Sequence, residues 1–197
     1  MNDQRTALVT FLQNTSHLTN EMASQIAEQF QYREIEKSVL FLKQGRQSNE
    51  YLFLQSGYMR AWLSDVDGNE ITTNLYSPGG VVFEVASFFQ RIPAQENLEA
   101  TTDCTGWALT FEQLNYLFHS TPEFREFGRA VLVKGFISFK MRTLSLINKT
   151  AEQRYAQLLE TRSELFQHIP LKYIASYLGI TDTSLSRIRK NQKEKGY

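Results

Sequence analysis

This sequence of 197 residues lacks most of what builds metal centres, disulfide scaffolds and membrane spans. It has one cysteine, Cys104, so neither an internal disulfide nor a four-thiolate iron–sulfur cluster is available to it. A lone thiol reads as a small buried hydrophobe and points to a reducing compartment, the cytoplasm. The three histidines, His17, His119 and His168, are scattered and all lie outside the strand-rich region. That leaves no ligand cluster for a metal-dependent β-roll enzyme, the reading from a different functional class. No glycine-rich phosphate loop, Gly-x-Ser-x-Gly elbow or His-Glu-x-x-His pair occurs. Glu96 and Glu99 have no visible catalytic partner and read as a solvated edge. No apolar run approaches a bilayer span, and Met1-Asn-Asp-Gln-Arg-Thr6 lacks the charged-then-apolar order of a secretory signal. Net charge is zero, which argues against indiscriminate binding of polyanions. The sequence therefore predicts a cytoplasmic protein that is not an enzyme, holds no metal and has no membrane partner.

What is present is unevenly distributed. Residues 150–197 carry eight Lys/Arg (Arg154, Arg162, Lys172, Arg187, Arg189, Lys190, Lys193, Lys195) against five acids, so the remainder holds the compensating negative excess. Most of the basic residues fall at the extreme C-terminal end, on or after the second helix of a stretch patterned as a helix-turn-helix. In Leu171-Lys-Tyr-Ile-Ala-Ser-Tyr-Leu178, apolar residues recur at Leu171, Ile174, Ala175 and Leu178, the spacing of one buried helix face. Gly179 falls where the chain must turn, Ile180 plugs the turn, and Thr181 is placed to cap a second helix. Leu185 and Ile188 return to the core. Thr181, Asp182, Thr183, Ser184, Ser186, Arg187, Arg189 and Lys190 are left to face outward, as hydroxyls and cations suited to base edges and phosphates of double-stranded DNA. Tyr197 lies only a few residues past that helix, so any wing is expected earlier, around Gln167-His-Ile169.

The rest of the chain has three textures. Residues 6–30 read as helical, with Thr19 as a cap. Residues 32–112 are rich in aromatic and β-branched residues, punctuated by Gly45, Gly57, Asp67-Gly68 and Pro78-Gly79-Gly80. Asp67-Gly68 predicts a hairpin between Met59–Ser64 and Glu70–Tyr76. Residues 122–148 predict one long helix, begun at Pro122 and apolar nearly all round, which needs two burial partners. The roll supplies one and a second copy of the helix the other, with Gly128 and Gly135 allowing close approach at the seam. A helix over 151–167 follows the break at Asn148-Lys-Thr150. The predicted fold is α+β: an antiparallel β roll of jelly-roll type with flanking helices, a long dimerisation helix, and a winged-helix-like helix-turn-helix domain. The divisions are 1–121 (sensor), 122–148 (dimerisation helix) and 149–197 (DNA binding).

In that order, and in Ala151-Glu-Gln-Arg-Tyr155, Ile169–Thr181 and Ser184–Lys190 above all, the chain resembles the Crp/Fnr family of transcription regulators in its Bacteroidetes-type branch. The resemblance implies a homodimer on a pseudo-palindromic operator, RNA polymerase as a partner, and a cyclic-nucleotide-binding-like sensor. It places Glu84 at the family's ribose-binding glutamate. Phe83 stands where the family has glycine, and Ala94 and Gln95 stand where it has its phosphate-binding Arg-Ser pair. A cyclic nucleotide-like effector is thus implied, yet the usual mode of cyclic AMP binding is not expected, because Ala94 replaces the arginine that would neutralise the phosphate. A ligand-binding roll with a non-functional DNA-binding end is the remaining alternative.

Overall fold

A computed structural model describes residues 5–16 and 18–194; Met1 to Gln4, His17, Lys195 to Tyr197 and the side chains of Lys193 and Glu194 lie outside what it describes. The chain begins with α1 (Thr6–Thr15) and α2 (Asn20–Glu28). The Thr19 hydroxyl accepts from Met22 N and starts α2, as the sequence predicts. Leu8 and Leu12 of α1 and Ile26 and Phe30 at and beyond α2 share one core with Phe53, Trp107, Phe124 and Phe127.

The roll comprises β1 (Gln31–Ile35), β2 (Leu40–Leu42), β3 (Glu50–Ser56), β4 (Met59–Ser64), β5 (Glu70–Tyr76), β6 (Val81–Val82), β7 (Asn97–Ala100) and β8 (Cys104–Thr110), with a short helix, α3 (Val85–Gln90), between β6 and β7. They form two four-stranded antiparallel sheets, ordered β1-β8-β3-β6 and β2-β7-β4-β5. Leu42, Leu52, Leu54, Met59, Ala61, Leu98 and Cys104 fill the space between them. Cys104 is buried, and burial pushes its thiol up, which makes it the inert small hydrophobe that was expected. The β4–β5 hairpin closes where Asp67-Gly68 predicts: Asp65 Oδ1 accepts from the backbone of Asp67 and Asn69.

Two helices follow the roll. The first, α4 (Phe111–Ser120), is held by a capping box in which Thr110 and Gln113 exchange hydrogen bonds. The second, α5 (Pro122–Asn148), is the expected long helix, and its first turns bury Phe124, Phe127 and Gly128 against the same chain. A Cβ on Gly128 would stand 2.5 Å from the Phe118 ring. Gly128 therefore serves packing within the chain and not the seam assigned to it, whereas Gly135 is exposed and a Cβ there would meet nothing within 4 Å.

The expected helix over 151–167 is two helices: α6 (Ala151–Thr161), begun by a Thr150–Gln153 capping box, and α7 (Leu165–His168). The break falls at Arg162, whose guanidinium donates to Leu75 O and Ser77 Oγ at the end of β5. The segment expected to form a wing is α7 and extended Ile169; among the described residues no strand follows Thr110. The helix-turn-helix itself is α8 (Leu171–Tyr177) and α9 (Asp182–Glu194).

These C-terminal helices share a core with the roll, which contributes Tyr58 and Leu75. Thr72 N donates to Ser176 Oγ at 2.8 Å, and Ser176 Oγ donates to Glu70 O. Tyr58 stacks on His168 with centroids 4.5 Å apart. Between them Arg60, 1% exposed, binds Glu99 and Glu70 at 2.6 Å each and lies 3.5 Å beneath the Tyr173 ring.

Candidate nucleic-acid interface and ligand site

The turn between α8 and α9 is fixed by local chemistry. Gly179 adopts φ +68, a left-handed conformation that glycine enters without the steric cost of a Cβ. Ile180 N then donates to Ala175 O and Gly179 N to Ser176 O, closing the end of α8. Ile180 packs into the domain core and Ala175 is fully buried. Thr181 Oγ1 accepts from Ser184 N at 3.2 Å and starts α9. Leu185 and Ile188 are buried, so the helix is anchored by one face.

The opposite face is open. Thr181, Asp182, Thr183, Ser186, Arg187 and Lys190 are exposed, and Ser184 and Arg189 are half-buried. Seven of these eight residues follow one another along the first turns of α9, after the capping Thr181. Arg187 lies near Glu152 of α6. The Glu152 carboxyl is held below the usual range by its own backbone N–H and the Thr150 hydroxyl first, with Arg187 and Arg154 adding to the effect.

Beyond Gly128, α5 keeps contacts with the C-terminal helices through Arg142, which donates to Tyr177 O, but leaves much of its apolar surface uncovered. Leu132, Val133, Phe136, Ile137, Phe139, Leu144 and Ile147 are exposed, and at about 100° per residue they form one continuous stripe.

In the roll, three of the four residues singled out at the ligand position are occupied within the fold. Glu84 caps α3: its carboxylate accepts from Ser87 N at 2.6 Å and Ala86 N at 3.3 Å. Phe83 is buried among Tyr51, Phe88 and Phe89. Ala94 is 2% exposed, with its N bonded to Arg46 O and its O accepting from Gly45 N. Gln95 is exposed, and its amide reaches only Pro93 O, at 3.5 Å. Arg91 turns away: it donates to Ser48 O and Asn49 Oδ1 and covers the Phe111 ring. A residue the sequence reading placed at a solvated edge, Glu96, is half-buried here. Burial pushes its carboxyl up, the Glu84 carboxylate adds to the rise, and Arg142 of α5 works against it.

Among the described residues, no group of three or more His, Cys, Asp or Glu side chains is placed to hold a metal ion, and no helix is long and apolar enough to cross a membrane.

Residues 32–121 match the family model of the cyclic nucleotide-binding domain. A search of the curated proteins gives no match. Among solved structures, FixK2 from Bradyrhizobium japonicum is similar with a TM-score of 0.74 at 17% identity, over 85% of this chain and 86% of that one. The c-di-GMP responsive global regulator CLP of Xanthomonas campestris gives 0.68 at 16% identity, over 88% and 91%. A chain from Eubacterium rectale described as a transcriptional regulator of the Crp/Fnr family gives 0.69 at 17% identity, over 94% and 87%. At such identities the likeness is one of fold. The resemblance read from the sequence holds at that level: a cyclic nucleotide-binding-type roll, a long helix and C-terminal helices in the Crp/Fnr arrangement.

Proposed function

We propose that a chain with this Crp/Fnr-type architecture is a homodimeric, DNA-binding transcription regulator that reads a pseudo-palindromic operator through α9. The observation that carries the reading is the one-sided anchoring of α9: Leu185 and Ile188 are buried while Thr181 to Thr183, Ser186, Arg187 and Lys190 face solvent. In the major groove, Arg187 would pair with a guanine edge and Lys190 with phosphate, while Asp182 suits a cytosine amino group. Ser184 and Arg189, closer to the body, would support the backbone contacts. The exposed stripe on α5 supplies the dimer seam, which sets two recognition helices on successive major grooves about 34 Å apart. Residues 1–121 act as sensor or scaffold, 122–148 as stalk and 149–197 as reading head. Such a protein works in the cytoplasm beside RNA polymerase.

The roll does not take cyclic AMP in the family's usual way. Glu84 uses its carboxylate on α3, Ala94 offers no charge, and Glu96 adds a second carboxyl close by. The absent arginine alone removes charge-assisted bonds worth about 1.5–3 kcal/mol. Calorimetry with cyclic AMP and cyclic GMP is expected to show no micromolar binding.

The DNA reading is tested by anisotropy on an oligonucleotide selected for binding. Affinity falls steeply with salt and exceeds that for random duplex. Arg187→Ala weakens the selected site by about 1–3 kcal/mol and relaxes selectivity, whereas Lys190→Ala weakens all duplexes alike. Selectivity unchanged in Arg187→Ala removes the role assigned to that residue.

A further inference from the structure

A cleft of about 190 Å³ opens where α5, α6 and α8 meet. Three arginines line it, Arg142, Arg154 and Arg162, together with Ser145, Gln157 and Tyr177. On α5 the lining positions Ser138, Arg142 and Ser145 fall on the side roughly opposite the apolar stripe, while Met141 and Leu146, also in the lining, flank it.

The three guanidiniums are fixed mainly by uncharged acceptors, with Glu96 and Glu152 within electrostatic reach of Arg142 and Arg154 but not bridged to them. Arg142 donates to Tyr177 O at 3.0 Å, Arg154 to Leu178 O at 2.9 Å and Lys149 O at 2.7 Å, and Arg162 to Leu75 O and Ser77 Oγ. All of these acceptors are uncharged. The carboxylate bridged to this set among the described residues is that of Glu164, 3.9 Å from Arg162 Nε and on the rim. Arg142 Nε is buried with no hydrogen-bond partner. Closing the carbonyl end of α8 accounts for the bonds of Arg142 and Arg154 to Tyr177 O and Leu178 O. Arg162 in turn ties the break after α6 to the end of β5, and neither role accounts for an orphaned donor on a charged group.

We infer that this cleft binds a small phosphorylated anion. Guanidiniums line it from both α5 and α6. A tetrahedral phosphoryl group offers oxygens in both directions, whereas a planar carboxylate offers them in one plane. The volume is below the roughly 300–1,000 Å³ of drug-sized pockets and suits a compact ligand. An anion held there ties α8 to α5, that is, the reading head to the stalk. Its regulatory consequence rests on the DNA-binding reading above: the ligand favours one placement of α9 by its differential affinity for that placement. The binding itself does not depend on that reading.

The probe is inorganic pyrophosphate, titrated calorimetrically into the full chain without DNA, with ionic strength held constant by chloride. Saturable binding at one site per chain is expected, with citrate at least tenfold weaker. Gln157→Glu places a carboxylate in the cleft while leaving an oxygen for the Lys149 Nζ bond, and it should weaken pyrophosphate at least tenfold with an unchanged melting curve in chloride. Should that variant unfold, Thr161→Glu at the exposed rim serves the same purpose. No saturable binding at millimolar pyrophosphate overturns the inference, as does equal binding by the carboxylate variants; citrate binding as tightly as pyrophosphate overturns the phosphoryl assignment. Because no duplex is present, failure here leaves the DNA reading standing, and loss of operator binding in Arg187→Ala leaves the cleft standing.

Discussion

Arg60 shows how much a single residue's role depends on neighbours remote in sequence. It sits in β4 directly across from Glu99 of β7, is bridged to Glu70 of β5, and is covered by Tyr173 of α8. Nothing in Met59-Arg-Ala-Trp announces this, because the pairing requires three strands and a helix to be in register first. Removing one partner of a buried charge leaves the other uncompensated, so Arg60→Met, which strands the Glu99 carboxylate, should cost about 3–5 kcal/mol in urea unfolding, and Glu99→Gln, after which Arg60 keeps Glu70, clearly less. Glu96 supplies a pH test. Its carboxyl is raised by burial and by Glu84, so the folded state holds the proton more tightly than the unfolded chain. That contribution to stability is complete below the ordinary glutamate range and is lost as pH rises through the raised value. Glu96→Gln should therefore melt a few degrees higher than the parent at neutral pH, with the gap closing under acid. Glu84 was legible as a match to the family's glutamate, but its local task of capping α3 was not, since glutamate is not among the favoured capping residues.

At the scale of elements, what short-range chemistry decides was readable. Asp67-Gly68, Thr19, Pro122 and Gly179 each do in the structure what their residue types permit. Gly179→Ala forces a Cβ into a left-handed turn and should cost about 1–2 kcal/mol by denaturant unfolding. The helices α3 and α4 were missed for different reasons. Val85-Ala-Ser-Phe-Phe-Gln90 is too short to show a helical period and is rich in strand-favouring aromatics. By contrast, α4 carried a readable start in Thr110-x-x-Gln113, which the roll's strand rhythm obscured. On α5 the apolar excess was plain, but not which third of it the chain covers for itself. The exposed remainder makes a direct prediction: Phe136→Asp combined with Phe139→Asp yields monomers in sedimentation, and operator affinity drops by about 10²–10⁴-fold as the second half-site is lost.

For the whole molecule, the roll and the C-terminal helices are one packed body, joined at the β4–β5 hairpin. The sequence showed both parts and their order, but it could not show that the helix preceding the turn lies along a strand of the roll. That arrangement depends on Ser176 meeting backbone at Glu70 and Thr72, a contact between positions about a hundred residues apart. Because the Ser176 hydroxyl of α8 bonds the backbone of β5 at two positions, the two elements should open together. Amide protons of Thr72 and of the α8 turns should exchange with deuterium at a common rate, slower than those of α9, and Ser176→Ala should split that shared protection into two separate openings.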